Sequence, residues 1–235
     1  MPAKEFHIES ELQKHHFRVA IFGSARVKPE DPLYQGVYSL AKEIGAMGAD
    51  VVTGGGPGFM EAASLGHTAG DVKNRAHSIG INISLPFEQK PNAGLEYVDT
   101  HQLFSSRLDE FMLLSHVAII MPGGVGTCLE FFYAWQLLQV KHICYLPLIL
   151  VGKEWRKLIE WVIDNPLKDH YLDAHDLHPI VLVDDWHQAL RVIEQAKKHF
   201  DLGLDPSCHN WQQYGKKMKK LANIIERLEE NKAEN

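Results

Sequence analysis

The sequence predicts an α/β fold: a doubly wound, Rossmann-like parallel sheet with helices on both faces and a C-terminal helical extension. Three observations lead there. Short β-rich runs alternate along the chain with segments of helical periodicity. Most of the strand runs are continuously apolar rather than apolar at every second position, as strands covered on both faces are. Several of those runs end in glycine, the pattern of an open sheet that binds ligands beyond its carboxyl edge.

Each element has its own justification. RVAIFGSA (18–25) is a β-rich run ending in small residues. Asp31-Pro32 opens a helix to about Met47, with Leu33, Val37, Leu40, Ala41 and Ile44 at helical spacing. ADVVTGGG (49–56) is a second strand running into glycines, and PGFMEAASLGHTAG follows as a helix with proline in its first turn. HSIGINISLP (77–86) is a third strand, trailed by a loop rich in Pro, Asn and Gln through about Glu96. Phe104 to Ser115 reads as a helix and HVAIIMPGG (116–124) as the fourth strand. Gly126 to Val140 is helical and apolar on nearly all sides, through Leu129, Phe131, Phe132, Tyr133, Trp135, Leu137 and Leu138. Such a helix is buried, in the core or in a subunit interface. LPLILVG (146–152), IVLVDD (180–185) and their following helices complete the alternation. Trp211 to Glu230 forms an amphipathic tail helix (about 210–231), with Tyr214, Met218, Leu221, Ile225 and Leu228 docking on its own subunit. Lys216, Lys217, Lys219 and Lys220, balanced by Glu226, Glu229 and Glu230, form its solvated face.

Composition narrows the classes. The 235 residues are 45% hydrophobic and 23% charged, an ordinary globular balance. No repeat or clean linker divides them, so a single domain (1–235, core about 18–200) is expected, large enough for a full core without staples. Cys128, Cys144 and Cys208 are odd in number and lack C-x-x-C spacing, which favours a reducing, cytoplasmic setting and gives no zinc framework. The N-terminal stretch carries charge throughout, and no run of about 18 apolar residues is present, so neither a signal peptide nor a membrane span is expected. With 24 basic and 30 acidic residues the formal charge is −6, which argues against coating a nucleic acid.

Chemistry concentrates at three glycine turns: Gly23-Ser24-Ala25, Thr53-Gly54-Gly55-Gly56-Pro57-Gly58 and Pro122-Gly123-Gly124-Val125-Gly126-Thr127. Glycine lets backbone approach a ligand, and a helix N-terminus behind it offers free N–H donors to a phosphate. One such turn is no more than a tight connection; three on one sheet edge point to an anion site. No G-x-x-x-x-G-K-[ST] is present, and neither of the first two turns completes G-x-G-x-x-G: Phe59 stands where the last glycine belongs. An NTPase of the Walker type and a nicotinamide dehydrogenase are therefore disfavoured. Thr127 adds a hydroxyl donor in the first helical turn, and Glu130, three residues on, shares its helix face. Alone, Glu130 is explained as a partner of the helix dipole. With Arg107, 23 residues earlier, converging on the same edge, it becomes a candidate catalytic carboxylate.

PGGVGTCLE (122–130) fits the PGGxGTxxE signature, and the chain resembles the Lonely Guy (LOG) family of cytokinin riboside 5′-monophosphate phosphoribohydrolase-like proteins, formerly called lysine decarboxylase-like. GGGPGFMEAA (54–63) is similar to that family's early glycine loop, and Arg107 with Met112 to its R-x-x-x-x-M element. INISLPFEQKPN (81–92) resembles the extended bacterial members, and the likeness spans roughly residues 18–150. Leu108 stands where plant-type members carry lysine, which leaves the substrate base open.

The resemblance implies hydrolysis of the N-glycosidic bond of an AMP-like nucleoside 5′-monophosphate, releasing free base and ribose 5-phosphate. Positive charge growing on the ribose calls for a carboxylate, the role of Glu130, with Arg107 holding substrate and balancing charge. Gly123, Gly124, Gly126 and Thr127 bind the phosphate; Ser24, Gly55, Gly56 and Asn82 line the pocket; Glu88 is a further substrate contact by resemblance; Met112 is a pocket or core side chain. Glu61 reads as a first-turn helix carboxylate. No H-x-x-x-H or H-E-x-x-H pair occurs among the 14 histidines, His116 and His142 are given no catalytic role, and no metal or cofactor is implied. Decarboxylation through pyridoxal phosphate needs a Schiff-base lysine, and none lies in the three turns. A nucleotide-binding or sensing module without turnover is the alternative; a DNA-processing binder is disfavoured by charge. The apolar 126–140 helix carries more hydrophobic surface than one sheet face can cover, so a homodimer is expected, and the resemblance puts the site near its interface.

Overall fold

The computed structural model describes residues 3–84 and 90–203. The expectations for the tail helix, for Cys208 and for Glu88 fall outside them. Eight strands form one sheet: β1 (Lys4–Glu5), β2 (Arg18–Phe22), β3 (Asp50–Thr53), β4 (Ser78–Ile83), β5 (Tyr97–His101), β6 (Val117–Ile120), β7 (Leu148–Val151) and β8 (Ile180–Val183). Their spatial order is β1-β5-β4-β3-β2-β6-β7-β8, and every pairing is parallel.

Strand pleating divides the apolar runs between two cores. Beyond the single-turn α1 (Ile8–Glu11), the longer helices cover the sheet: Val19 and Ile21 of β2 pack with α2 (Pro32–Ala46), α3 (Phe59–Gly70) and α7 (Trp186–Asp201) through Val37, Leu40, Ile44, Phe59 and Ile193. Ala20 and Phe22 face the opposite side, where Phe111, Phe131, Trp135 and Trp155 belong to α4 (Phe104–Leu114), α5 (Val125–Gln139) and α6 (Lys153–Val162). Both faces are thus dry, which explains the continuously apolar strands. Asp31 caps α2 by accepting a hydrogen bond from the Leu33 backbone N–H, 2.8 Å away.

The α2–α3 crossing depends on glycine. A side chain at Gly66 would strike the Tyr38 carbonyl, and one at Gly70 the Lys42 carbonyl, so the two helices touch backbone to backbone. This brings α3, and the glycine turn ahead of it, tightly onto the sheet.

Several details differ from the sequence reading. β5 and the short β1 extend the sheet past β4; YVDTH is polar and only half-buried, so it lacks the apolar run by which the other strands are recognised. Pro57 is not in the first turn of α3: the helix starts at Phe59, with Gly58 as N-cap at φ +71°. Leu33 is exposed at the start of α2. The helix over 125–139 buries Phe131, Ala134, Trp135 and Leu138 but leaves Val125, Leu129 and Phe132 exposed, because one sheet covers only one of its sides.

From β2 the chain steps to β3, β4 and β5 in one direction, and from β6 to β7 and β8 in the other. The loops after β2 and β6 therefore part at their common edge, the place where such sheets open a crevice.

Gly66→Ala tests the helix crossing. Overpacking against a carbonyl outweighs the gain of about 1 kcal/mol in helix propensity, so urea unfolding should show a lower midpoint and a net loss of roughly 1–2 kcal/mol. An unchanged midpoint would mean the helices separate freely.

Candidate active site

The three glycine turns meet at the carboxyl edge, and Ser24 ties them. Its N–H donates to the Pro122 carbonyl at 3.2 Å, joining the turns after β2 and β6, and its carbonyl accepts from the Phe59 N–H at 3.1 Å, joining the turn after β3. Its Oγ accepts from the Arg26 N–H, so the side chain shapes its own turn. Gly58 passes so close to the Ser24 carbonyl that no Cβ fits there.

Arg107 comes from α4, on the face turned toward the sheet. Its Nε donates to the Ile81 carbonyl at 2.8 Å, and its Nη1 lies 3.3 Å from Glu130 Oε1 on α5. The second Nη fills the space a side chain at Gly54 would need, and the guanidinium carbon stands 5.1 Å from the Phe111 ring centroid. Gly54 is thus small because a buried arginine crosses it. The guanidinium is fixed by strand, helix and turn at once.

Glu130 is 12% exposed along its side chain. Burial pushes its carboxyl up to about 7, against the opposing pull of Arg107. Burial also draws Arg107 down, with Glu130 opposing. A carboxyl shifted toward neutrality and held by a cation is suited to exchange a proton with a reacting group.

The N-terminus of α5 supplies donors. Gly124 is its N-cap, no side chain caps it, and its first turn carries no acidic residue. Around Gly124 and Gly126 the space beyond the backbone is open, whereas Thr127 is buried with its hydroxyl folded over Gly123. Free N–H groups backed by a helix dipole make an anion cradle.

The remaining expected residues divide. Asn82 is buried at the end of β4 beside Gly55, its Oδ1 accepting from the Ile83 N–H. Gly55 and Gly56 are buried in the second turn, where Asn92 closes over them: its N–H donates to the Gly55 carbonyl and its Nδ2 to the Gly56 carbonyl. Asn92 escaped the sequence reading because its loop has no periodicity. Met112 is 2% exposed in the core with Phe22 and Phe111, so the structure puts it in packing rather than on the crevice wall. Glu61 lies in the first turn of α3, with the Tyr34 hydroxyl 3.5 Å from its Oε2. A further pair was missed: the Tyr133 hydroxyl donates to Asp109, binding α5 to α4 beside Arg107 and Glu130.

Comparisons with known proteins bear on the family and the fold. The family described as "Possible lysine decarboxylase" matches residues 51–193. Escherichia coli proteins described as pyrimidine/purine nucleotide 5′-monophosphate nucleosidase are 29% identical over 196 residues, covering 78% of this chain and 41% of theirs. The chain thus spans less than half the length of these relatives. Among solved structures, the molybdenum cofactor binding protein of Rippkaea orientalis superposes with a TM-score of 0.56 at 19% identity, over 77% of this chain and 96% of that one. The molybdenum cofactor carrier protein of Chlamydomonas reinhardtii gives 0.56 at 18%, over 78% and 99%. These two share the fold.

A carboxyl-13C NMR titration tests the electrostatics. Glu130 should titrate near pH 7, and in Arg107→Met its midpoint should rise further, since the arginine favours the ionised form. An ordinary midpoint near 4.5 would mean the carboxyl is solvated.

Proposed function

The chain belongs to the "Possible lysine decarboxylase" family, the LOG-like family of the PGGxGTxxE signature, and from that premise we propose that it is a nucleoside 5′-monophosphate phosphoribohydrolase. The observation that carries this reading is the buried Arg107–Glu130 pair beside an uncapped helix N-terminus. A phosphate held by the α5 amide groups and the Thr127 hydroxyl puts the ribose toward Glu130, one helical turn further on.

As the bond between C1′ and the base nitrogen breaks, its electron pair leaves with the base, and positive charge spreads over C1′ and the ring oxygen. The Glu130 carboxylate stabilises that charge and takes a proton from the water whose oxygen bonds to C1′. The departing base nitrogen takes a proton from solvent, Glu130 returns its own proton to solvent, and the products are free base and ribose 5-phosphate. Arg107 keeps Glu130 ionised and oriented as charge develops. Decarboxylation has no comparable support, because the three turns hold no lysine for a Schiff base.

Self-association belongs to the same reading. Val125, Leu129, Phe132 and Val140 form an exposed stripe along and just past α5. Its occupant is a second copy of this chain, which would put the interface next to the crevice. Sedimentation of the full chain should show a dimer, and Phe132→Glu should shift it to monomer; a wild-type monomer at micromolar concentration would contradict this.

A panel of purine and pyrimidine nucleoside 5′-monophosphates tests the activity. Free base should appear with ribose 5-phosphate, and Glu130→Gln should lower kcat by about 10²–10⁴-fold with the fold retained. kcat/KM should rise with pH through about 7 and then level, because the active carboxylate is protonated below that point. Binding of AMP without base release from any member would replace the enzyme reading with that of a nucleotide sensor.

A further inference from the structure

Three groups of histidine and carboxylate side chains bring their ligand atoms within 4.8 Å of one another among the described residues. Glu11, His16 and Asp50 already hold their own cations: Arg18 Nη2 lies 3.0 Å from Glu11 Oε1, Arg18 Nε 3.4 Å from Asp50 Oδ2, and Lys14 Nζ 2.7 Å from Glu11 Oε2. Asp173, His175 and Asp176 close a short turn, in which Asp176 Oδ2 accepts from the Asp173 N–H and from Gln139 Nε2. Asp99, His101 and Glu110 form the third group, and it is not neutralised in this way.

Asp99 and His101 are two apart on β5 and so share a face; Glu110 meets them from α4. The Ser106 hydroxyl donates to the Leu103 carbonyl, so its oxygen must accept from His101 Nδ1, 2.9 Å away. That assigns the Nδ1 proton and turns Nε2 to the carboxylates. Nε2 lies 2.5 Å from Glu110 Oε2 and 3.6 Å from Asp99 Oδ2. The Glu110 side chain is 5% exposed, and its other oxygen, Oε1, is buried without a hydrogen-bond partner. The Asp99 carboxyl also lies against Glu110 and opposes its ionisation, so two carboxyls share the one ring nitrogen while Oε1 has no hydrogen-bond donor. A buried acceptor in that state has lost its water partners and gained none from the protein, which a bound cation would remedy.

The geometry points to a divalent-cation site formed by His101 Nε2 and the carboxylates of Asp99 and Glu110, suited to a first-row ion such as Zn2+ or Mn2+. One imidazole with two carboxylates is a donor set for such ions. A ring whose other nitrogen is bonded to a fixed acceptor is oriented for ligation. The ion replaces the proton between Nε2 and Oε2, and these open from 2.5 Å to about 3 Å, as ligands roughly 2.0–2.2 Å from a metal require. Half-exposed Asp99 leaves room for water to complete the shell. Glu110 follows Arg107 by three residues on α4, so the ion would tie the arginine's helix to strand β5, between β1 and β4; its role is to hold, apart from the Arg107–Glu130 centre.

Chelator-treated full-length protein is titrated with Zn2+ and Mn2+, each alone, by calorimetry in two buffers of different ionisation enthalpy at pH 7. Co2+ is followed by visible absorption. One equivalent per chain with proton release is expected, together with d–d bands for bound Co2+. His101→Ala and Asp99→Asn should each weaken binding by about tenfold or more, and Glu110→Gln should remove the bands. If Glu110→Gln fails to fold, Asp99→Asn at the half-exposed position decides. Absence of binding by all three ions overturns the site, as does binding that His101→Ala and Asp99→Asn leave unchanged.

Discussion

The rest of the structure is arranged around one buried ion pair, Arg107 with Glu130. Taking both charges out of water is unfavourable, and the pair persists only where hydrogen bonds and packing hold it. The chain meets that demand from four places. The Ile81 carbonyl accepts Nε, Gly54 leaves room for the second Nη, Phe111 offers its ring, and Asp109 with Tyr133 clasps the two helices alongside. Burial raises the Glu130 carboxyl to about 7, the range in which proton exchange near neutral pH is effective.

The fold delivers these groups to one place through its topology. Reversal of strand order between β2 and β6 opens the edge, and Ser24 at the opening bonds to both neighbouring turns. Behind it, the glycine-lined crossing of α2 and α3 draws the second turn down onto the sheet. Anion donors on α5 and the guanidinium on α4 then stand on rigid helices rather than on long loops. The proposed hydrolysis calls for that rigidity, since the site's charges must not relax as positive charge develops on the ribose.

Much of this was legible in the residues. Continuous apolar strands alternating with helices gave the doubly wound sheet, and the pairing of Arg107 with Glu130 followed from the glycine signature and the likeness built on it. What escaped was set by contacts between distant segments. β5 is polar and half-buried, held by pairing with β4 rather than by apolar character. Met112 has the same residue type in a pocket or a core, and only its neighbours Phe22 and Phe111 decide. The role of Gly54 depends on an arginine 53 residues away. His101 shows no metal-binding spacing in the chain, because Glu110 reaches it from another element.

The proposed function requires one nucleotide to reach from the α5 amide groups to Glu130, and a crystal structure of Glu130→Gln with AMP shows whether it does. The phosphate is expected on the Gly124–Thr127 backbone, with C1′ beside residue 130 and Arg107 still bonded to the Ile81 carbonyl. A nucleotide bound in the reverse sense, with its base at the helix N-terminus and its phosphate on Arg107, would contradict it.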